Sequence, residues 1–168
     1  PLNKYVKYLF KVGIRPAMRF TLHTDYALRV LMYLGAEPGD DLATVKEISK
    51  SYGISENHLM KVVHRLGQSG FITTVRGRQG GMRLARVPDD INVGSVVRAC
   101  EDDMRIVECF DPLTNTCPIA NACALPSVLD EALTAFLGVL DQYTLADLLK
   151  PRAALWEVLA DAVSPISP

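Results

Sequence analysis

One helix closes at Gly53 and another is set to open at Ser55, and this tight juncture constrains the chain more than any other feature. Thr44 and Glu47 stand three apart, the spacing of a capping box. In that motif the hydroxyl accepts the third residue's N–H and the carboxylate reaches back to the cap. Val45 and Ile48 are then placed to face inward. Gly53 breaks the pattern and Ser55 supplies a new cap. Leu59, Val62, Val63 and Leu66 recur at helical spacing until Gly67 and Gly70. Two helices joined by a short glycine-containing turn make a helix-turn-helix. Next come two strand-like runs, Phe71 to Val75 and Met82 to Val87, around the glycine-rich tip Arg76-Gly-Arg-Gln-Gly-Gly81. A helix-turn-helix followed by a basic hairpin is the winged-helix pattern. The expected fold is therefore mainly α with a small β-hairpin wing.

Charge agrees with that pattern. The net charge of −1 is uninformative, but its distribution is not. From Asn57 to Val87 there is no Asp or Glu, while Lys61, Arg65, Arg76, Arg78, Arg83 and Arg86 all fall there. From Glu101 to Asp111 the balance reverses, with Glu101, Asp102, Asp103, Glu108 and Asp111. A basic face suits phosphate, because lysine and arginine displace the counterions condensed on DNA. The competing reading is a solvated surface, and the helix-turn-helix beside it favours DNA. Ser55, Asn57, His58 and Lys61 lie at or near the start of the second helix, where base edges are read. Lys61 and Arg65 are candidates for phosphate contacts, with Arg83 in the same basic window. Arg76, Arg78 and Gln79 form a wing tip suited to the adjacent minor groove. On a helix among basic residues, His58 and His64 read as DNA contacts or exposed side chains rather than metal ligands.

The rest of the 168-residue chain divides around this head. Residues 1–17 are basic and partly apolar and read as an upstream extension. Residues 18–88 form the expected winged helix-turn-helix. It opens with a helix from Asp25 towards Gly35, capped by Thr24 and carrying Ala27, Leu28, Leu31 and Leu34. In residues 89–125, Asn92 caps a helix to about Cys100, and a long irregular segment follows. Residues 126–150 hold a long helix from Pro126 to about Gln142 and a turn capped by Thr144. On the long helix Leu125, Leu129, Leu133, Phe136, Leu137 and Leu140 make a wide apolar stripe, more than a self-contained winged helix needs. A homodimer interface is the expected use, since twofold operators are read by twofold proteins. Residues 151–168 form a tail, with one more helix expected around Leu155, Trp156 and Leu159 and no role assigned to it. No segment has the length of a membrane span, and no secretory signal is visible, so the expected location is the cytoplasm. No nucleotide-binding glycine loop or catalytic dyad is present, which argues against an enzyme.

The irregular segment contains three of the four cysteines. Cys109, Cys117 and Cys123 are separated by seven and then five residues, among Pro112, Asn115, Pro118 and Asn121. A loop of this length without structure of its own needs something to organise it. A disulfide framework does not suit a cytosolic chain. Zinc sites usually use knuckles with about two to four residues between cysteines, and this spacing is wider. An iron–sulfur cluster, with several irons, fits it better. Zinc- or thiol-dependent control stays open as the alternative. Cys100 ends a helix among apolar neighbours and reads as a buried free thiol, with a fourth ligand as the sharper reading.

Several of these segments resemble one family. Met18-Arg-Phe-Thr-Leu-His-Thr-Asp-Tyr-Ala-Leu-Arg29 looks like the opening helix of the iron–sulfur winged-helix regulators, the family that includes IscR and NsrR. Ile54-Ser-Glu-Asn-His-Leu59 and Val75-Arg-Gly-Arg-Gln-Gly-Gly-Met-Arg-Leu-Ala85 look like its recognition helix and wing. Val107-Glu-Cys-Phe110, Cys117-Pro-Ile119 and Cys123-Ala-Leu125 look like the cluster loop of its nitric-oxide-sensing branch. Tyr143-Thr-Leu-Ala-Asp-Leu148 resembles its closing turn. The resemblance covers roughly residues 18–149. It implies a [4Fe–4S] or [2Fe–2S] cluster on Cys109, Cys117 and Cys123, with Asp25 completing the coordination from the partner subunit. An acid in a helix's first turn also favours the dipole, so Asp25 has a structural reading as well. The IscR branch places a histidine three residues after its third cysteine. Pro126 stands there in this chain.

The resemblance further implies a homodimeric repressor on a double-stranded DNA operator, with nitric oxide as its signal. Nitrosylation would break the link through Asp25 and release the operator. Shifting a two-state head this way takes only about 3–5 kcal/mol. Sensing of iron supply or of general oxidants is the alternative, because the same exposed cluster would serve.

Overall fold

The computed structural model describes residues 19–39 and 41–161. The expected N-terminal extension lies outside the described residues. Seven helices and one hairpin occur in the described part. They are α1 (Leu22–Ala36), α2 (Val45–Tyr52), α3 (Glu56–Gln68), β1 (Ile72–Val75), β2 (Gly81–Leu84), α4 (Val93–Cys100), α5 (Leu125–Leu140), α6 (Leu145–Leu148) and α7 (Arg152–Asp161).

Capping chemistry sets most of these boundaries. Thr44 and Glu47 form the capping box of α2, and Gly53 closes that helix at φ 64°, a left-handed conformation that glycine adopts without strain. Ser55 caps α3 by accepting the His58 N–H, and Asn92 caps α4 by accepting that of Ser95. Thr144 and Asp147 form a second capping box at α6. The first helix corrects the sequence expectation. It begins at Leu22, and its cap is Thr21, whose hydroxyl accepts the Thr24 N–H. Thr24 lies inside the helix and is fully buried. Two threonines three apart both carry a capping hydroxyl, and local sequence does not choose between them.

The core is built on α1. Ala27, Val30 and Leu31 are fully buried there and meet Ile48, Leu59, Val62 and Leu66 of the helix-turn-helix. Ile72 and Met82 anchor the wing from below. The strands pair antiparallel, Ile72 opposite Leu84 and Val75 opposite Gly81, and the second ends at Leu84, three residues short of the run to Val87. Ala43 forms an isolated bridge on the other edge of β2, exchanging both backbone hydrogen bonds with Met82 at 3.0 and 2.8 Å. On the other side of α1 stand Val96 and Cys100 of α4, Leu145 and Leu149.

The C-terminal segment has a clear place. In α7, Leu159 is buried, Trp156 meets Tyr33 edge-on at 5.5 Å, and Ser51 Oγ donates to the Leu159 carbonyl. Arg152 donates to the carbonyls of Ala36 and Glu37, which α1 leaves unsatisfied at its end.

Helix α5 is different. None of its residues is buried, and Leu125, Val128 and Val139 are more than half exposed. Its C-terminal end is fastened to the head. Arg98 grips Asp141 with two bonds of 2.7 and 2.6 Å, and Asn92 Nδ2 donates to the Asp141 carbonyl. Asp141 lies over Gly94, where any Cβ would collide with its carboxylate. At its other end α5 receives the cysteine segment.

Candidate nucleic-acid interface and cysteine loop

The candidate reading face starts at the α3 N-terminus. Asn57, His58 and Lys61 are exposed there behind the Ser55 cap, while Leu59 and Val62 root the helix in the core. His58 lies against Tyr26 of α1, ring centroids 6.2 Å apart, and Arg29 covers the Tyr26 ring from the side. The wing presents Arg76, Arg78 and Gln79, all exposed, on the turn between β1 and β2. Gly77 holds φ 121° in this turn, a conformation that strains any other residue. Arg83 projects from β2 opposite Thr73 and is also exposed. The structure thus brings Ser55, Asn57, His58 and Lys61 together within the cap and first two turns of α3, and groups the wing residues at the hairpin.

Arg65 behaves differently from the other basic residues. Its Nε donates to the Ala99 carbonyl at 2.5 Å and its Nη2 to Asp102 Oδ1 at 3.2 Å. The Ala99 carbonyl is among the last of α4, which lack helical partners and attract cations. Glu101, the next residue after α4, reaches the other way. Its carboxylate accepts Thr21 N at 3.3 Å, Thr21 Oγ1 at 3.2 Å and Thr24 Oγ1 at 2.5 Å. Sequence reasoning assigned Glu101 only to an acidic run. The available signal was an acid at a helix C-terminus, where the dipole disfavours it unless it has a partner elsewhere.

The cysteine segment, residues 101–124, is irregular apart from short turns at Glu108–Phe110 and Ala120–Ala122. Its order comes from carboxylates. Arg105 pairs with Asp103 at 2.8 Å and also with Asp111, closing a loop around Cys109. Hydrogen bonds from Arg105 hold the Asp103 carboxyl down at about 2. Glu108 Oε1 accepts Thr116 N at 2.5 Å and Thr116 Oγ1 at 2.7 Å, which lowers its pKa. This bond joins the residues that directly precede Cys109 and Cys117. The Asn115 side chain accepts the Cys117 N–H at 3.0 Å. Cys123 Sγ accepts the Leu125 N–H at 3.4 Å, at an α5 N-terminus that has no other side-chain cap.

All three loop thiols are free and partly buried. Their chemistry suits a thiolate-bound cluster: soft donors, one of which, Cys123 Sγ, accepts a backbone N–H at a helix N-terminus that favours negative charge. Among the described residues, no three His, Cys, Asp or Glu side chains converge as a metal-binding group. Asp25 instead pairs with Arg29 on its own helix at 2.8 Å. Cys100 stands apart, 2% exposed, and burial pushes its thiol up to about 11.

Comparison with known proteins adds the wider setting. Residues 20–151 match the family described as Rrf2, iron-dependent transcriptional regulator. The chain is 54% identical over 142 residues to the HTH-type transcriptional regulator NsrR of Bacillus subtilis (strain 168), covering 84% of this chain and 97% of that one. It is 53% identical over 142 residues to the NsrR of Halalkalibacterium halodurans, with the same coverage. Among solved structures it is similar to T. potens IscR, at 28% identity and a TM-score of 0.64, over 80% of this chain and 88% of the other. It is also similar to CymR, the global cysteine regulator of B. subtilis, at 27% identity and a TM-score of 0.62, over 78% of this chain and 95% of that one. No described helix is long and apolar enough to cross a membrane.

Proposed function

Because the chain belongs to the Rrf2 family of transcriptional regulators, we propose that it is a homodimeric repressor whose hold on operator DNA depends on an iron–sulfur cluster and is lowered by nitric oxide. The observation that carries this reading is the cysteine loop itself: three free thiols on one irregular segment, rooted between the DNA-binding head and the exposed helix α5. Cys109, Cys117 and Cys123 would hold the cluster, with Asp25 supplied across the dimer. A cluster bound there would supply iron able to react with nitric oxide.

The chain's own residues do the rest. Asn57, His58 and Lys61 face the major groove from the first turns of α3, beside the Ser55 cap. Arg76, Arg78 and Gln79 contact the neighbouring minor groove or its phosphates, and Arg83 adds charge to that flank. The apolar stripe of α5 pairs with its copy in a second chain. That buries Leu129, Leu133, Phe136 and Leu137, which a lone chain leaves partly exposed. Pairing at α5 sets the spacing of the two α3 helices.

The reading is tested by anaerobic purification followed by iron and acid-labile sulfide analysis, for the wild type and Cys117→Ser. Iron and sulfide in comparable amounts, with most of both lost in the variant, support it. Zinc in place of iron, or metal content untouched by Cys117→Ser, contradicts it.

A further inference from the structure

The last turn of α4 and the two residues after it form the root of the cysteine loop, and this root is bonded to both halves of the DNA-binding head. On one side the Arg65 guanidinium, from the last turn of α3, holds the Ala99 carbonyl and Asp102. On the other, the Glu101 carboxylate gathers Thr21 N–H and the hydroxyls of Thr21 and Thr24, at the start of the helix that carries Asp25. Thr24 is fully buried, so its short bond to Glu101 is shielded from competing water. Beyond the root, Asp103, Arg105 and Asp111 carry the chain of ion pairs to either side of Cys109. Each exposed pair is weak alone. Together they leave few residues between Cys109 and the reading helix that are not tied to a neighbour.

We propose that Arg65 and Glu101 are positioning residues that clamp the root of the cysteine loop to α3 and α1, so that order in the loop sets the orientation of the reading helix. Arg65 on this account is a tether and makes no DNA phosphate contact. The inference rests on the proposed cluster-dependent function and names the route by which the loop acts on the head.

Hydrogen–deuterium exchange of the full chain tests it. Wild type, Arg65→Gln and Glu101→Gln are compared before and after anaerobic loading with ferrous iron and sulfide. Loading slows exchange of residues 101–124 in all three. In the wild type it also slows α3 and the first turn of α1, by about tenfold, and in the variants that second effect is lost while the loop stays protected. Equal slowing of α3 in the wild type and both variants overturns the proposal. A loop left unprotected in the wild type sinks the cluster reading, and with it the metal-driven half of this inference. Salt-dependent binding to a mixed-sequence DNA duplex then decides the Arg65 half. A phosphate-contacting lysine or arginine contributes a slope of about 0.9 in log K against log salt. Arg65→Gln leaves the slope unchanged if Arg65 is a tether. A loss of about 0.9 makes it a phosphate contact and overturns the assignment.

Discussion

Side chains of the same type take opposite parts in this chain, and their surroundings decide which. Cys100 and Cys109 are both free thiols. Cys100 is sealed in the core beside Val96, and its burial raises it to about 11, so it stays a neutral thiol. With the folded value above the unfolded one, its contribution to stability is complete below about pH 9 and is lost as pH rises through about 11. Iodoacetamide at neutral pH should therefore label Cys109, Cys117 and Cys123 of metal-free folded protein and spare Cys100, as read by peptide mass spectrometry. Labelling of Cys100 at the same rate would contradict its placement. Among the basic residues, Lys61 is exposed on the reading face whereas Arg65 is turned to α4. Lys61→Gln should lower the salt slope of DNA binding by about 0.9. At Ser55 the hydroxyl caps α3, and Ser55→Ala should cost about 1 kcal/mol in urea unfolding, apart from any effect on DNA.

At the scale of elements, the sequence was most legible where a side chain bonds its own helix. Thr44 with Glu47, Ser55, Asn92 and Thr144 each mark a start by a local bond, and all four caps stand where periodicity puts them. Elements decided by distant partners were less legible. The start of α1 moved from Thr24 to Thr21 because Glu101, 80 residues from Thr21, binds both hydroxyls. Helix α7 was foreseen, but its role was not. Its attachment depends on the Tyr33 ring, Ser51 and the open carbonyls of α1, which no spacing within residues 152–161 encodes. The cysteine loop was found by its three thiols, while the carboxylate bonds that shape it came only from the structure. Helix α5 carries its apolar stripe without burying it. Leu133→Asp on that stripe should convert a dimer to a monomer in sedimentation and leave the thermal stability of the head nearly unchanged. A monomeric wild type would remove α5 as the interface.

Taken whole, the molecule is a winged head with its core on α1, an apolar helix lying against it through Phe136 and Phe20 with no residue buried, and a loop of thiols between them. The helix is hinged at one end by Arg98 and Asp141, and the loop closes the other end. Gly94→Ala would force Asp141 off Arg98, and the two should separate the motions of head and helix, seen as faster amide exchange across α4 and the end of α5. On the proposed reading, a change in the loop would reach both α3 and the face of α5 that pairs with a second chain. The central claim is that a cluster in that loop controls DNA binding. Its most direct test is a titration of nitric oxide into anaerobically prepared, cluster-loaded protein bound to a duplex selected from a random pool, at fixed salt. The account predicts a coloured protein whose affinity for that duplex falls by about 100-fold, a change of roughly 2.8 kcal/mol, as the visible spectrum changes. Affinity that stays constant while the cluster reacts, or equal binding by colourless protein, would contradict it.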